Sequence, residues 1–162
     1  LSEAEFDVEG KSALVFGTGG AARAVVFILN WLRAASIVVV GRNREKASDL
    51  VHTFSGDILP PEALPERPLS VDIVVNATAV SSVEESPELA ALARQLECPA
   101  CQLVLDLNYG RQDNFWGEMA QSRGIRFMDG LPALAYQARR TFALWTGLQV
   151  PPEEFIKALN SN

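Results

Sequence analysis

The sequence is short of the residues that build metal and disulfide sites. It has one histidine, His52, two cysteines, Cys98 and Cys101, and three lysines, Lys11, Lys46 and Lys157. A zinc site needs about four ligands, and Cys98-Pro99-Ala100-Cys101 with one distant histidine does not supply them, so no metal is expected. Two cysteines do not make a disulfide-built secreted domain, and a reducing cytoplasm is the expected compartment. The sharp readings of the motif are a redox pair or half a zinc site. A redox CxxC of the thioredoxin kind opens a helix, whereas this one runs directly into a strand, so we read two reduced thiols in a connecting loop. Positive charge is also scarce. The net charge of −6 argues against nucleic acid or an anionic membrane as the main partner, while leaving room for a local basic pocket. No apolar run reaches the roughly 18–20 residues of a membrane span. The opening Leu1-Ser2-Glu3-Ala4-Glu5 has no signal-peptide character. The first residue is Leu rather than Met, and we expect a piece of a longer protein.

What the sequence does have is an apolar core and an alternating order of elements. The 162 residues, 48% of them hydrophobic, suit one folded domain. Apolar runs at 11–16, 36–40, 71–75, 102–107 and 125–128 read as strands, and 55–59 as a short edge strand. Segments 21–32, 44–54, 86–96, 114–123, 131–146 and 151–159 read as helices, with Ser86 as an N-cap and Gly147 as a stop. Residues 60–68 hold four prolines and read as loop. Helices alternating with apolar strands predict an α/β fold. The expected form is a Rossmann-type, doubly wound, mainly parallel six-stranded sheet with helices on both faces. Ligands of such folds sit at the carboxyl ends of the strands.

The first strand ends in Gly17-Thr18-Gly19-Gly20-Ala21-Ala22, which fits G-x-G-x-x-A between a strand and a helix. Gly17 permits the turn, Gly19 leaves room for a pyrophosphate, and Ala22 lets the helix pack close to the sheet. A helix N-terminus there offers free N–H groups and the positive end of a dipole. The second strand ends in Val40-Gly41-Arg42-Asn43-Arg44-Glu45-Lys46. NAD proteins place an acid at this strand tip. Here Arg42 offers a planar fork suited to a phosphate, Lys46 follows one turn later and Arg44 is a third basic candidate, so the expected cofactor is NADP. On the next strand ends, Asn76-Ala77-Thr78-Ala79 supplies small residues and a hydroxyl, with Asn76 suited to stabilising the turn. Asp106-Leu107-Asn108-Tyr109 places an acid in an apolar strand, read as a structural brace through hydrogen bonds to backbone N–H groups. Asp129-Gly130-Leu131 allows close approach, and Gln137 lies on the helix beyond.

Taken together, these motifs resemble the C-terminal, NADP-binding domain of the shikimate dehydrogenase family, over about residues 8–159. The ending Phe142-Ala143-Leu144-Trp145-Thr146-Gly147 adds to the resemblance. It implies reduction of 3-dehydroshikimate to shikimate with NADPH, on the route to chorismate and the aromatic amino acids. It implies a cofactor set of Gly17, Thr18, Gly19, Gly20 and Ala21 at the pyrophosphate. Gly41, Arg42, Asn43, Arg44 and Lys46 would hold the 2′-phosphate, and Ala77, Thr78, Leu107 and Gly130 the rest of the cofactor, with Leu107 and Gly130 at the nicotinamide half. Tyr109 and Gln137 would reach the substrate. No catalytic residue is expected in this chain, because in the family a Lys–Asp pair in the first domain handles the proton. The whole of residues 1–162 is then the cofactor domain, inactive alone. The family pattern Asn-Arg-Thr is replaced by Gly41-Arg42-Asn43. Its Asn-Ala-Thr-Ser-x-Gly becomes Asn76-Ala77-Thr78-Ala79-Val80-Ser81, and its Gly-Leu-Gly-Met-Leu becomes Gly130-Leu131-Pro132-Ala133-Leu134. The last two changes fall on the nicotinamide and substrate side. A quinate or aminoshikimate dehydrogenase half, more remotely a glutamyl-tRNA reductase, and a standalone NADP-sensing module stay open as alternatives, as does a homo-oligomer.

Overall fold

Six apolar strands form the frame, and a computed structural model describes residues 6–159. The strands are β1 (Ser12–Phe16), β2 (Ser36–Val40), β3 (Asp57–Leu59), β4 (Ile73–Asn76), β5 (Leu103–Asp106) and β6 (Arg126–Met128). They lie in the order β3-β2-β1-β4-β5-β6, and every pairing is parallel. The chain therefore leaves β1 outward through β2 and β3, then crosses back to β4. The seam between β1 and β4 is the point where a crevice opens in this topology.

The apolar runs are continuous because both faces of the sheet are covered. Leu14, Phe16, Val74 and Val104 face one core, shared with α3 (Pro87–Gln95) and α4 (Phe115–Ser122). Ala13, Val15, Ile73 and Val75 face the other, shared with α1 (Gly20–Trp31) and α2 (Arg44–Phe54). On the first face Phe16 and Phe115 both pack against Trp116, with ring centroids 4.7 and 5.1 Å apart. Two more helices, α5 (Leu131–Thr146) and α6 (Pro152–Leu159), close the chain. Gly147 ends α5 at φ 73°, a left-handed C-cap that favours glycine.

One element differs from the sequence reading. Pro61–Glu66 is a 3₁₀ helix rather than loop. Proline is tolerated in a first turn, where its missing N–H would have had no partner. Leu64 anchors the turn by burying itself in the first core. Proline density therefore marked a short helix that ends early, not an absence of structure.

Side chains cap the helices that matter for the crevice. Asn43 Oδ1 accepts from the Lys46 N–H at 2.9 Å, and Ser86 Oγ from the Leu89 N–H at 3.3 Å. The N-cap of α1, Gly19, has no side chain for this. At the opposite edge of the sheet, Asp72 Oδ2 accepts from the Ser12 N–H at 2.9 Å and its hydroxyl at 2.8 Å, and Asp72 Oδ1 pairs with Lys11 at 3.6 Å. This ties β1 to β4 across the seam.

Candidate functional site

Small-molecule sites usually measure about 300–1,000 Å³, and the cavity at the carboxyl ends of β1, β2 and β4 measures about 710 Å³. Three chain reversals wall it. From the β1–α1 turn come Gly17, Thr18 and Gly19; from the β2–α2 turn come Gly41, Arg42, Asn43 and Lys46. Ala77 and Thr78 line it after β4. The N-terminal turns of α1, α2 and α3 all lie around this space, each offering N–H groups and a positive dipole end.

The turns are locked by backbone bonds between strand ends. The Gly17 N–H donates to Val40 O at 2.8 Å, and the Ala77 N–H to Phe16 O at 2.8 Å. Gly17 sits at φ +115°, and a Cβ there would lie 2.7 Å from Ala77 O. Its own packing thus demands glycine, and its N–H is already engaged. Gly19 and Gly20 differ: a Cβ at either meets nothing within 4 Å. No packing within the chain asks for glycine there, which leaves space in front of the helix for a ligand. A Cβ at Gly41 would strike the Thr18 methyl, so Gly41 lets the two turns close on each other.

The cations at the cavity mouth are uncommitted. Arg42 and Lys46 are exposed and make no hydrogen bond or ion pair through their side chains among the described residues. Arg44 is different, since its guanidinium pairs with Glu62 at 3.2 Å and does not line the cavity. Glu88 of α3 also lines the cavity. Its carboxyl is held below the ordinary range, first by its own backbone N–H, then by the Ser86 hydroxyl and by Arg42. Sequence reasoning missed Glu88, Leu89 and Leu92, because α3 enters the wall only through the crossing of β4 beside β1. Ser86 was legible as a cap, not as lining.

The other strand ends are built differently. The buried Asp106 carboxylate at the end of β5 accepts five hydrogen bonds. Oδ2 receives Ser81 Oγ at 2.6 Å and Asn114 Nδ2 at 2.7 Å. Oδ1 receives Asn76 Nδ2 at 2.8 Å, the Asn108 N–H at 3.0 Å and Asn108 Nδ2 at 3.1 Å. The brace is therefore mostly side-chain amides and a hydroxyl, with a single backbone N–H. Asn76 Oδ1 in turn accepts from the Thr78 hydroxyl at 2.7 Å, and Asn108 Nδ2 donates to Thr78 O at 2.9 Å. The network holds the 78–81 loop that forms one wall of the cavity. Glu85 adds to it by accepting from the Ser81 N–H at 2.8 Å, the main reason its carboxyl lies below the usual range. Ser81, which stands at the family's glycine position, is thus turned inward to Asp106.

Several expected site residues lie outside the cavity lining: Gly20, Ala21, Arg44, Leu107, Gly130, Tyr109 and Gln137. Gly130 packs so tightly that a Cβ would strike Leu107 O, which accounts for glycine there without a ligand. Tyr109 and Gln137 are exposed. No group of three or more His, Cys, Asp or Glu among the described residues can hold a metal ion. No described helix is long and apolar enough to cross a membrane.

The family model for shikimate / quinate 5-dehydrogenase matches residues 1–112. This chain belongs to that family. It is 36% identical over 157 residues to the NADP(+) shikimate dehydrogenase of Desulforamulus reducens, covering 92% of this chain and 54% of that protein. The corresponding enzyme of Pyrococcus furiosus is 36% identical over 141 residues, covering 86% and 49%. Among solved structures, the shikimate 5-dehydrogenase of Thermus thermophilus in complex with NADP(H) and shikimate superposes with a TM-score of 0.78 at 31% identity, over 99% of this chain and 58% of that one. A chorismate mutase/shikimate 5-dehydrogenase fusion protein from Clostridium acetobutylicum gives 0.80 at 26%, over 99% and 58%. The chain spans about half the length of the curated relatives it matches.

Proposed function

We propose that residues 1–162 form the NADP(H)-binding domain of a shikimate dehydrogenase. The whole protein would reduce 3-dehydroshikimate to shikimate in the cytoplasm. The observation that carries this is the pair of uncommitted cations, Arg42 and Lys46, at the tip of β2, where an NAD protein would place an acid. The relatives' names and the NADP(H) complex of the Thermus enzyme support the same reading.

The donor set fits a dinucleotide. The N–H groups of Gly19, Gly20 and Ala21, left over by the first turn of α1, would meet a pyrophosphate in the open space in front of Gly19, the one of the three that lines the cavity. Gly17 shapes this turn, its own N–H being taken by Val40 O. Arg42 and Lys46 meet the 2′-phosphate, while Arg44, paired with Glu62, plays at most a long-range part. Leu89 and Leu92 of α3 give an apolar surface for the adenine. Bound there, the cofactor supplies the hydride of its nicotinamide. The Asp106 network keeps the 78–81 loop still beneath that half. Leu107, Gly130, Tyr109 and Gln137 extend the site toward substrate held by a partner domain that contributes the Lys–Asp pair.

Titration with NADPH and NADH tests the cofactor reading. Arg42→Ala weakens NADPH far more than NADH; an equal loss for both would remove Arg42 from the 2′-phosphate. A second measurement tests the division of labour. The 162-residue chain binds NADPH but shows no shikimate oxidation, and robust turnover by it would overturn the assignment of the proton-transfer pair to another domain.

A further inference from the structure

Cys98 and Cys101 lie at the amino edge of the sheet, just before β5 and opposite the 710 Å³ cavity. The turn between them is closed by the Cys101 N–H donating to Cys98 O at 3.0 Å. A turn of this kind holds its end residues within about 7 Å, close to the range a disulfide spans. The two thiols share one wall of a cavity, and Cys101 is the largest single influence on the Cys98 thiol. Cys101 Sγ also lies 3.4 Å from Leu103 O. The Arg123 guanidinium faces the pair from the end of α4. Its Nη1 lies 3.9 Å from Cys98 Sγ, and it is fixed in place by donating to the carbonyls of Leu96 and, at 2.8 Å, Arg94. Little of either cysteine is exposed, but both edges open into a separate cavity of about 430 Å³, which Arg123 and Glu97 also line. Nothing in the cofactor reading uses this arrangement.

We propose that Cys98 and Cys101 form a thiol–disulfide exchange site, with Cys98 as the attacking sulfur and Cys101 as the resolving thiol, whose reaction partners are low-molecular-weight disulfides entering through the 430 Å³ cavity. The Cys98 thiolate attacks one sulfur of the incoming disulfide. That S–S bond breaks, a mixed disulfide forms on Cys98, and one thiolate leaves. Cys101 loses its proton to the departing thiolate and attacks the Cys98 sulfur. The internal disulfide forms and the second thiolate leaves, so the protein gives up two electrons and the small disulfide is reduced to two thiols. The roles follow from the surroundings. The neighbouring Cys101 thiol, with Arg123 beside it, lowers the Cys98 thiol to about 7, whereas Cys101 is raised by the same pairing and by burial. An attacking thiol with a pKa near ambient pH combines thiolate population with nucleophilicity.

The test treats the reduced, folded chain with glutathione disulfide and reads intact mass and peptide maps. The wild type loses two hydrogens and regains them with dithiothreitol. Cys101→Ser stops at a mixed disulfide on residue 98, and Cys98→Ser stays unmodified. Thermal melts confirm that each variant is folded before it is scored. Arg123→Gln supplies a second readout in the wild-type dithiol, because the pH midpoint of Cys98 alkylation moves upward. Labelling at pH 7 then falls about two-fold, the change in thiolate fraction for about half a pKa unit. Equal reaction of Cys98→Ser and wild type would overturn the proposal, as would a folded wild type that resists while the urea-unfolded chain reacts.

Discussion

The two halves of the sheet handle polar groups in opposite ways. On the β1–β2 side, Arg42 and Lys46 stand at an open cavity with no hydrogen bond or ion pair among the described residues, and Gly19 and Gly20 face empty space. On the β4–β5 side, Asn76, Ser81, Asp106, Asn108 and Asn114 are engaged with one another and buried or half-buried. Net stabilisation by a hydrogen bond is about 1 kcal/mol, but a buried polar group left unmatched costs about 1–3 kcal/mol. A satisfied network therefore rigidifies, whereas unsatisfied charge at a solvated rim is kept for something else. The first half leaves its cations open to the cavity, and the second holds the 78–81 loop that walls it.

Breaking the Asp106 network has the largest effect. Asp106→Leu removes the acceptor shared by five donors, strands buried amides, and lowers unfolding stability by about 3 kcal/mol or more, read by urea denaturation. A loss under about 1 kcal/mol would mean the network contributes little. At the rim, Arg42→Ala leaves stability unchanged and weakens NADPH by about ten- to hundred-fold, the range for losing a charge-assisted hydrogen bond to a phosphate. A melting temperature that falls with the affinity would blur the contrast between the halves.

Smaller effects test the seam and the surface. The Asp72 carboxyl is held below its ordinary value, first by the Ser12 N–H, with the Ser12 hydroxyl and Lys11 adding to it. A carboxyl lowered in the folded state stabilises fully above its unfolded pKa of about 3.9 and loses that contribution as pH falls through the lower folded value. Asp72→Asn therefore lowers stability at pH 7 and flattens its decline below about pH 4, where wild type and variant converge. Arg44→Ala breaks an exposed pair with Glu62 and changes stability by under about 0.5 kcal/mol, with little change in NADPH affinity. A large affinity loss there would return Arg44 to the phosphate site.

Much of this architecture was legible in the residues. Continuous apolar strands must be covered on both faces, so a parallel sheet followed from 11–16, 36–40 and 71–75. Gly17, Arg42 and Lys46 were legible because their places are set by chain neighbours at a strand end. Glu88 and Ser81 were not, because their neighbours come from elsewhere in the chain. Ser81 meets Asp106 only after β5 has paired beside β4. Cys98-Pro99-Ala100-Cys101 was visible as a motif, but Arg123 reaches it only through the packing of α4 against the end of α3.

The sequence by itself determined the sheet, the glycine turn and the missing acid at the tip of β2, since these depend on local backbone freedom and on burial period. Tertiary structure alone decided which charges form ion pairs. Arg42 and Arg44 are two residues apart and identical in chemistry, yet one faces an open cavity and the other lies beside Glu62. Arg42 stands in the turn before the N-cap and Arg44 opens α2, so their side chains leave the backbone in different directions, and only the folded chain shows what stands in each.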